Sequence, residues 1–277
     1  MAKEVDAVIL SLDSLAIYRK IDIASAKPSP KERGGIIHFG IDEICPDEEF
    51  NVALFINLYQ KAQEYATIHN KNLLILGGTG FYLSALVDGV SKMPAISQNA
   101  RDKATKEIEN IEEAYNKHLE IDPHSKIAKN DRYRLQKWYE FWFETGVAKE
   151  QYFQNNPPIP VIEKPIEIYE IEVEKEVLNE RIRKRTTQMF EDGLVEEVQS
   201  LISEYGKDLQ PFKAIGIKEV IEYLQGQHSL EKTKELVYLH TRQLAKRQRT
   251  YNRSKFEGRI SAKLSELKEP LLNAFKS

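Results

Sequence analysis

Three features of the sequence predict an α/β fold with a parallel sheet flanked by helices. Two apolar stretches of strand length, residues 5–10 and 73–76, each run into a polar or glycine-rich turn. Between them, residues 52–68 carry Val52, Phe55, Ile56, Tyr59, Ala62 and Ala66 at helical spacing. The second strand then feeds through Gly77-Gly78-Thr79-Gly80 into another apolar helix, residues 81–87. Strand, helix, strand, turn and helix in that order form the βαβ pattern, which pairs its strands in parallel.

The elements follow in chain order. Residues 5–10 read Val-Asp-Ala-Val-Ile-Leu and deliver Ser11-Leu12-Asp13-Ser14 to the strand's C-terminal end. Open α/β sheets gather their functional groups at that end. Residues 36–44 are apolar and β-branched around Gly40 and are extended in part. Cys45-Pro46-Asp47 turns the chain, and Asn51 caps the helix over 52–68. From about residue 94 to 160 the character changes. Residues 100–118 are charged and helical, and residues 131–145 hold Leu135, Trp138, Tyr139, Phe141 and Trp142 at helical spacing. Asn155-Asn156-Pro157-Pro158 breaks the chain. These residues predict an all-helical insertion at 95–161, within an α/β core of residues 1–94 and 162–277. Residues 166–173 alternate apolar side chains with glutamate and read as a strand returning to the sheet. Residues 175–205, 214–224 and 230–252 are mainly helical.

Composition bounds the function. Of 277 residues 41% are apolar, enough for a sizeable core, and 30% are charged. No stretch approaches the roughly 20 apolar residues of a membrane helix, so a cytoplasmic protein with no membrane partner is expected. Cys45 is the single cysteine, which rules out an internal disulfide and a CxxC zinc site. The net charge is −3, yet Arg242, Lys246, Arg247, Arg249, Arg253, Lys255, Arg259 and Lys263 face only Glu257 over residues 242–263. Such a patch suits a phosphate backbone. HExxH and GxSxG patterns do not occur, which disfavours zinc and serine hydrolases.

Each candidate residue has two readings. Asp13 is a turn former or a catalytic carboxylate. Gly77–Gly80 is a tight turn, or a place where backbone approaches an anionic ligand at a helix N-terminus. It matches neither a Walker A loop nor GxGxxG. Arg181 and Arg185 lie four apart, on one helix face. Two forked guanidiniums there suit a diphosphate, or the face is simply solvated. Around residues 241–249, Leu239, Leu244 and Ala245 can face a core while the basic side meets RNA, with Tyr251 nearby. His38 stands alone.

Together these segments resemble the tRNA dimethylallyltransferases (isopentenyltransferases). Asp13-Ser14-Leu15-Ala16-Ile17-Tyr18 is similar to that family's D-S-x-Q-x-Y, and Ile21-Asp22-Ile23-Ala24-Ser25-Ala26-Lys27-Pro28 to its M-D-I-G-T-A-K-P. His38 with Ile41-Asp42, the turn from Gly77 through Tyr82, and Asn130-Asp131-Arg132-Tyr133-Arg134 follow in the family's order. So do the segment from Arg181 to Met189 with Gly193-Leu194, then Ala214-Ile215-Gly216-Ile217-Lys218-Glu219, and Ala245-Lys246-Arg247-Gln248. Eight ordered blocks span nearly the whole chain.

The resemblance implies a P-loop-NTPase-like parallel sheet with a helical insertion. It also implies transfer of a dimethylallyl group from dimethylallyl diphosphate to the exocyclic N6 amine of the adenosine adjacent to the anticodon in tRNA. Asp13 is then the general base, Arg185 and after it Arg181 hold the diphosphate, and His38 lies near the reaction centre. Asp13, Ser14, Leu15, Ala16 and Thr79 receive the adenosine. Arg134, Lys137, Lys218, Arg242, Lys246, Arg247 and Gln248 hold the anticodon stem-loop. Mg²⁺ is the implied cofactor, and a monomer is expected. Ala16, Ser25 and Ile217 stand where the family has Gln, Thr and Tyr. The family also places a G-x-x-x-x-G-K-[ST] loop ahead of the aspartate strand, and these residues do not contain it, so its metal ligand has no counterpart here. Residues 1–4 read as the last turn of the helix after that loop. The expectation is that the chain as written transfers poorly, and that the loop is encoded upstream of Met1. Two rival readings stand: a tRNA-binding scaffold without catalysis, and a nucleotide-kinase relative, which would have no need of Lys246-Arg247-Gln248.

Overall fold

A computed structural model describes residues 1–275. The chain divides into two compact units, one of residues 1–85 with 164 onward, the other Leu86–Glu163.

The first unit holds the sheet. β1 (Ala7–Ser11) lies between β2 (His38–Phe39) and β3 (Asn72–Leu76), with both pairings parallel. A central parallel strand is covered on both faces, and residues 7–10 are all buried. α1 (Val52–Ile68) makes the crossover to β3 and starts where the sequence predicts, with Asn51 Oδ1 accepting the Leu54 N–H at 3.0 Å. Its buried face is Phe55, Leu58, Tyr59, Ala62 and Ala66. α2 (Gly80–Val87) follows the glycine turn.

The C-terminal half of this unit is helical: α7 (Lys175–Glu191), α8 (Leu194–Tyr205), a short 3₁₀ turn at Gln210–Lys213, α9 (Ile217–Leu224) and α10 (Leu230–Lys255). α10 packs along α7 and α9. The predicted returning strand is only β4 (Tyr169–Ile171), and it does not rejoin the sheet. It adds to neither edge strand, β2 or β3, because its three residues take their ladder from β5 (Ile260–Ala262), with which β4 pairs in parallel. Glu170 fastens that pair by accepting from Arg259 Nε at 2.6 Å and Ser261 Oγ at 3.1 Å. α11 (Leu264–Ala274) ends the described chain.

The second unit is helical: α3 (Gln98–Glu107), α4 (Ile111–Ile121), α5 (Arg132–Thr145) and α6 (Lys149–Asn155). The charged helical stretch predicted at 100–118 is two helices, because Asn110 caps a new start at Ile111 and Ile108 turns into the core. Val161 and Ile162 N–H groups bond the Leu86 carbonyl at 2.9 and 3.0 Å, so this unit closes at Leu86, within α2, rather than at residue 95. Its core gathers Ala104, Ile108, Ala114, Leu135, Trp138 and Tyr139. Trp138 donates Nε1–H to Asp122 at 3.0 Å, and Tyr139 donates its hydroxyl to the Ala114 carbonyl at 2.7 Å.

His118 is the exception in this core. It is fully buried edge-on to Trp138, and neither ring nitrogen has a hydrogen-bond partner. Burial pulls its pKa below the ordinary histidine value; Asp122 opposes that shift and Lys149 adds to it. His118→Leu is therefore expected to raise stability by roughly 1–2 kcal/mol, because it removes unpaired buried polar atoms. The fold binds the ring neutral, so the parent chain loses stability as pH falls through about 6.5 and below. The variant should lose less, and thermal melts from pH 8 to pH 5 check both statements.

Candidate active site

The site starts where β1 ends. Leu12 still donates to the Leu76 carbonyl at 2.7 Å, and the next residue leaves the sheet. Asp13 Oδ1 accepts the N–H groups of Leu15 at 2.8 Å and Ala16 at 3.2 Å. That is an Asx-type turn, so the turn-former reading holds. The turn also fixes the carboxylate. Its second oxygen has no hydrogen bond among the described residues, and the side chain is exposed on a cavity of about 520 Å³. The turn-former reading is met by one carboxylate oxygen, and the other is left open to the cavity.

The cavity lies within the first unit and joins segments far apart in sequence. Asp13, Ser14 and Leu15 line it from the end of β1, Thr79 from the glycine turn, Arg185 from α7, and Arg247 and Gln248 from α10. The glycines serve a purpose that the sequence reading did not assign. A Cβ at Gly78 would sit 2.5 Å from Gln248 Nε2, and one at Gly80 would meet the Tyr251 ring at 2.7 Å. Their bareness lets α10 press on the turn beside Thr79. Tyr251 continues the contact, its hydroxyl 2.9 Å from Ser84 Oγ on α2.

α7 turns Ile182, Arg185, Thr186 and Met189 to the cavity. Arg181, one turn earlier, is exposed and does not line it. Among the described lining residues Asp13 carries the only carboxylate, against Arg185, Lys213 and Arg247. None of those three cations makes an ion pair with another described residue. A cavity of this kind attracts an anion. Lys213 escaped the sequence reading because it lies in a 3₁₀ turn without helical periodicity, beside a motif block but outside it. The following loop is held by buried Glu219, which accepts the Gly216 N–H at 2.7 Å and meets His240 Nδ1 at 2.6 Å. Leu244, expected in a core, is 38% exposed and lines the cavity.

Other sequence candidates sit elsewhere. Ala16 is buried at 3% exposure, with its N–H on Asp13 and its carbonyl accepting from Asp42, so its methyl group is not presented to a ligand. His38 lies on β2 with Nδ1 2.9 Å from the Ile36 carbonyl and does not line the cavity. Lys218 pairs with Glu222 at 3.7 Å. Arg242 donates to Asn179 and stacks over Tyr238, which also carries the Arg183 guanidinium. Lys246 is exposed on α10. In the second unit Arg134 pairs with Asp131 at 3.4 Å and Lys137 with Glu140 at 2.7 Å. Among the described residues no cluster of three His, Cys, Asp or Glu side chains could hold a metal. The Ser14 and Thr79 hydroxyls on the cavity lining fit an ion that takes most of its coordination from substrate phosphate and water, as Mg²⁺ commonly does, and leave the Asp13 carboxylate unbound.

Comparison with known proteins identifies the family. The family model described as IPP transferase matches residues 16–255. A tRNA dimethylallyltransferase of Nautilia profundicola is 46% identical over 100% of this chain and 94% of its own length. One from a Sulfurovum species is 44% identical over 98% and 91%. A crystal structure of a tRNA isopentenylpyrophosphate transferase from Staphylococcus epidermidis superposes with a TM-score of 0.67 at 28% identity, over 99% of this chain and 91% of that one. The chain belongs to the IPP transferase family, alongside relatives named tRNA dimethylallyltransferases.

Proposed function

We propose that this chain transfers the dimethylallyl group of dimethylallyl diphosphate to the exocyclic N6 amine of the adenosine adjacent to the anticodon of tRNA. The observation that carries the reading is the fixed Asp13 carboxylate facing the same cavity as the unpaired Arg185. The adenine amine is a weak nucleophile because its lone pair is delocalised into the ring. As the amine nitrogen bonds to the first carbon of the dimethylallyl group, the carbon–oxygen bond to diphosphate breaks, and the second oxygen of Asp13 takes the amine proton. Arg185 faces the charge that gathers on the departing diphosphate. Leu15, Ile182, Met189 and Val237 offer the five-carbon group an apolar wall. Mg²⁺, with Ser14 and Thr79 as its protein ligands, would neutralise diphosphate charge when bound.

The adenosine leaves its stack to reach Asp13. The basic face of α10 takes the RNA backbone, and Arg134 and Lys137 on the second unit contact the stem-loop in the same reading. The direct test incubates the chain with labelled dimethylallyl diphosphate and an anticodon stem-loop, then analyses the released nucleosides. Label on the adenosine N6 is the expected result; RNA binding without transfer would favour the scaffold reading. Lys246→Ala should weaken RNA binding and lower the slope of log K against log salt by roughly one. Filter binding at several salt concentrations measures it.

A further inference from the structure

The wall of the cavity includes Ala24 and Ser25, in an irregular segment that has no strand or helix to hold it. Three consecutive N–H groups of this segment point to one side chain. Glu197 Oε2 accepts from Asp22 at 2.9 Å and from Ile23 at 2.7 Å, while Oε1 accepts from Ala24 at 2.9 Å. A row of successive backbone N–H groups is an anion-binding concavity, and here a carboxylate from the first turn of α8 fills it. The far end of the segment is fixed independently. The Lys27 side chain is 4% exposed, with Nζ on Asp22 at 2.7 Å, Asp42 at 2.5 Å and the Tyr18 carbonyl at 2.7 Å. Between the two anchors Ala26 adopts φ 47°, a left-handed conformation that a side chain other than glycine holds only under restraint.

We infer that Glu197 is a positioning residue for the transfer reaction, holding residues 22–25 as the cavity wall through three backbone hydrogen bonds. This rests on the proposed dimethylallyl transfer and extends it to a side chain that touches no substrate. Leu15 and Ala24 line the cavity with Ile182 and Met189, where the apolar group of the donor would lie. A wall displaced by about 1 Å can cost about 10²-fold in rate.

The test uses the full chain carrying Glu197→Ala or Glu197→Gln. Hydrogen exchange at the amides of Asp22, Ile23 and Ala24 should accelerate in both variants relative to the parent. In Glu197→Ala, kcat/KM for dimethylallyl diphosphate should fall about 10²-fold, with RNA affinity within about twofold because the α10 face is untouched. Acetate or formate should restore part of the Glu197→Ala activity saturably, by filling the vacated concavity. It should not restore Glu197→Gln, whose side chain still occupies that space but offers one acceptor oxygen. Unchanged exchange at the three amides would overturn the inference, as would an activity loss that tracks melting temperature and ignores both anions. A parent chain that transfers no label would overturn the proposed function alone, since the exchange measurement reads the wall without any turnover.

Discussion

Asp13→Asn is expected to lower kcat for dimethylallyl transfer by about 10²–10⁴-fold, the usual worth of a positioned general base. The substitution separates the two tasks of this residue. Asparagine keeps an Oδ1 that can accept the Leu15 and Ala16 N–H groups, so the turn after β1 survives. It removes the basicity of the second oxygen, which in the proposed reaction takes the amine proton. RNA affinity should stay within a few-fold of the parent and the melting temperature should hold. A single-turnover assay with saturating RNA and diphosphate, beside a thermal melt, distinguishes lost chemistry from a lost turn. An Asn variant with undiminished turnover would remove Asp13 from the chemistry and leave it a turn former.

Arg185→Ala is expected to cost about 10²–10³-fold in kcat, the range for removing one preorganised donor from a developing anion. Sequence spacing puts Arg181 and Arg185 on the same helix face and cannot rank them. The fold does, because only Arg185 lines the cavity. Arg181→Ala is thus the internal control, with turnover expected within a few-fold of the parent. Arg185→Lys keeps the charge but loses the planar fork, so it should fall between the parent and the alanine variant. Steady-state kinetics on the three variants, with dimethylallyl diphosphate varied at fixed RNA, gives the order. Equal losses at 181 and 185 would mean that the diphosphate lies outside this cavity.

Local signals in the sequence were enough for the elements that depend on neighbours. The Asn51 cap, the apolar stripe of α1 and the run into Asp13 are all written within a few residues of where they act. Features set by distant contacts were not legible. β4 and β5 are three residues each, and pair only because the chain returns after four helices. Glu197 reads in sequence as one more acid on a charged helix; its role depends on backbone that lies far upstream. Leu244 shows a limit of a different kind, since an apolar residue at helical spacing marks a buried face whether a core or a ligand cavity covers it. The glycine turn is plain in the sequence, but half of its physical reason is not, because the partner that needs the space is a protein helix.

That close approach makes Gly78, Gly80, Gln248 and Tyr251 a single unit under mutation, although half the chain separates the pairs. A methyl group at Gly78 forces the Gln248 amide out of its place in the cavity lining, and one at Gly80 runs into the Tyr251 ring, on the helix that also carries Arg247. Changes at either pair are tolerable only when the other yields matching volume. The fold therefore ties the shape of the cavity to the docking of α10, and a change at one end of the contact favours a compensating change at the other.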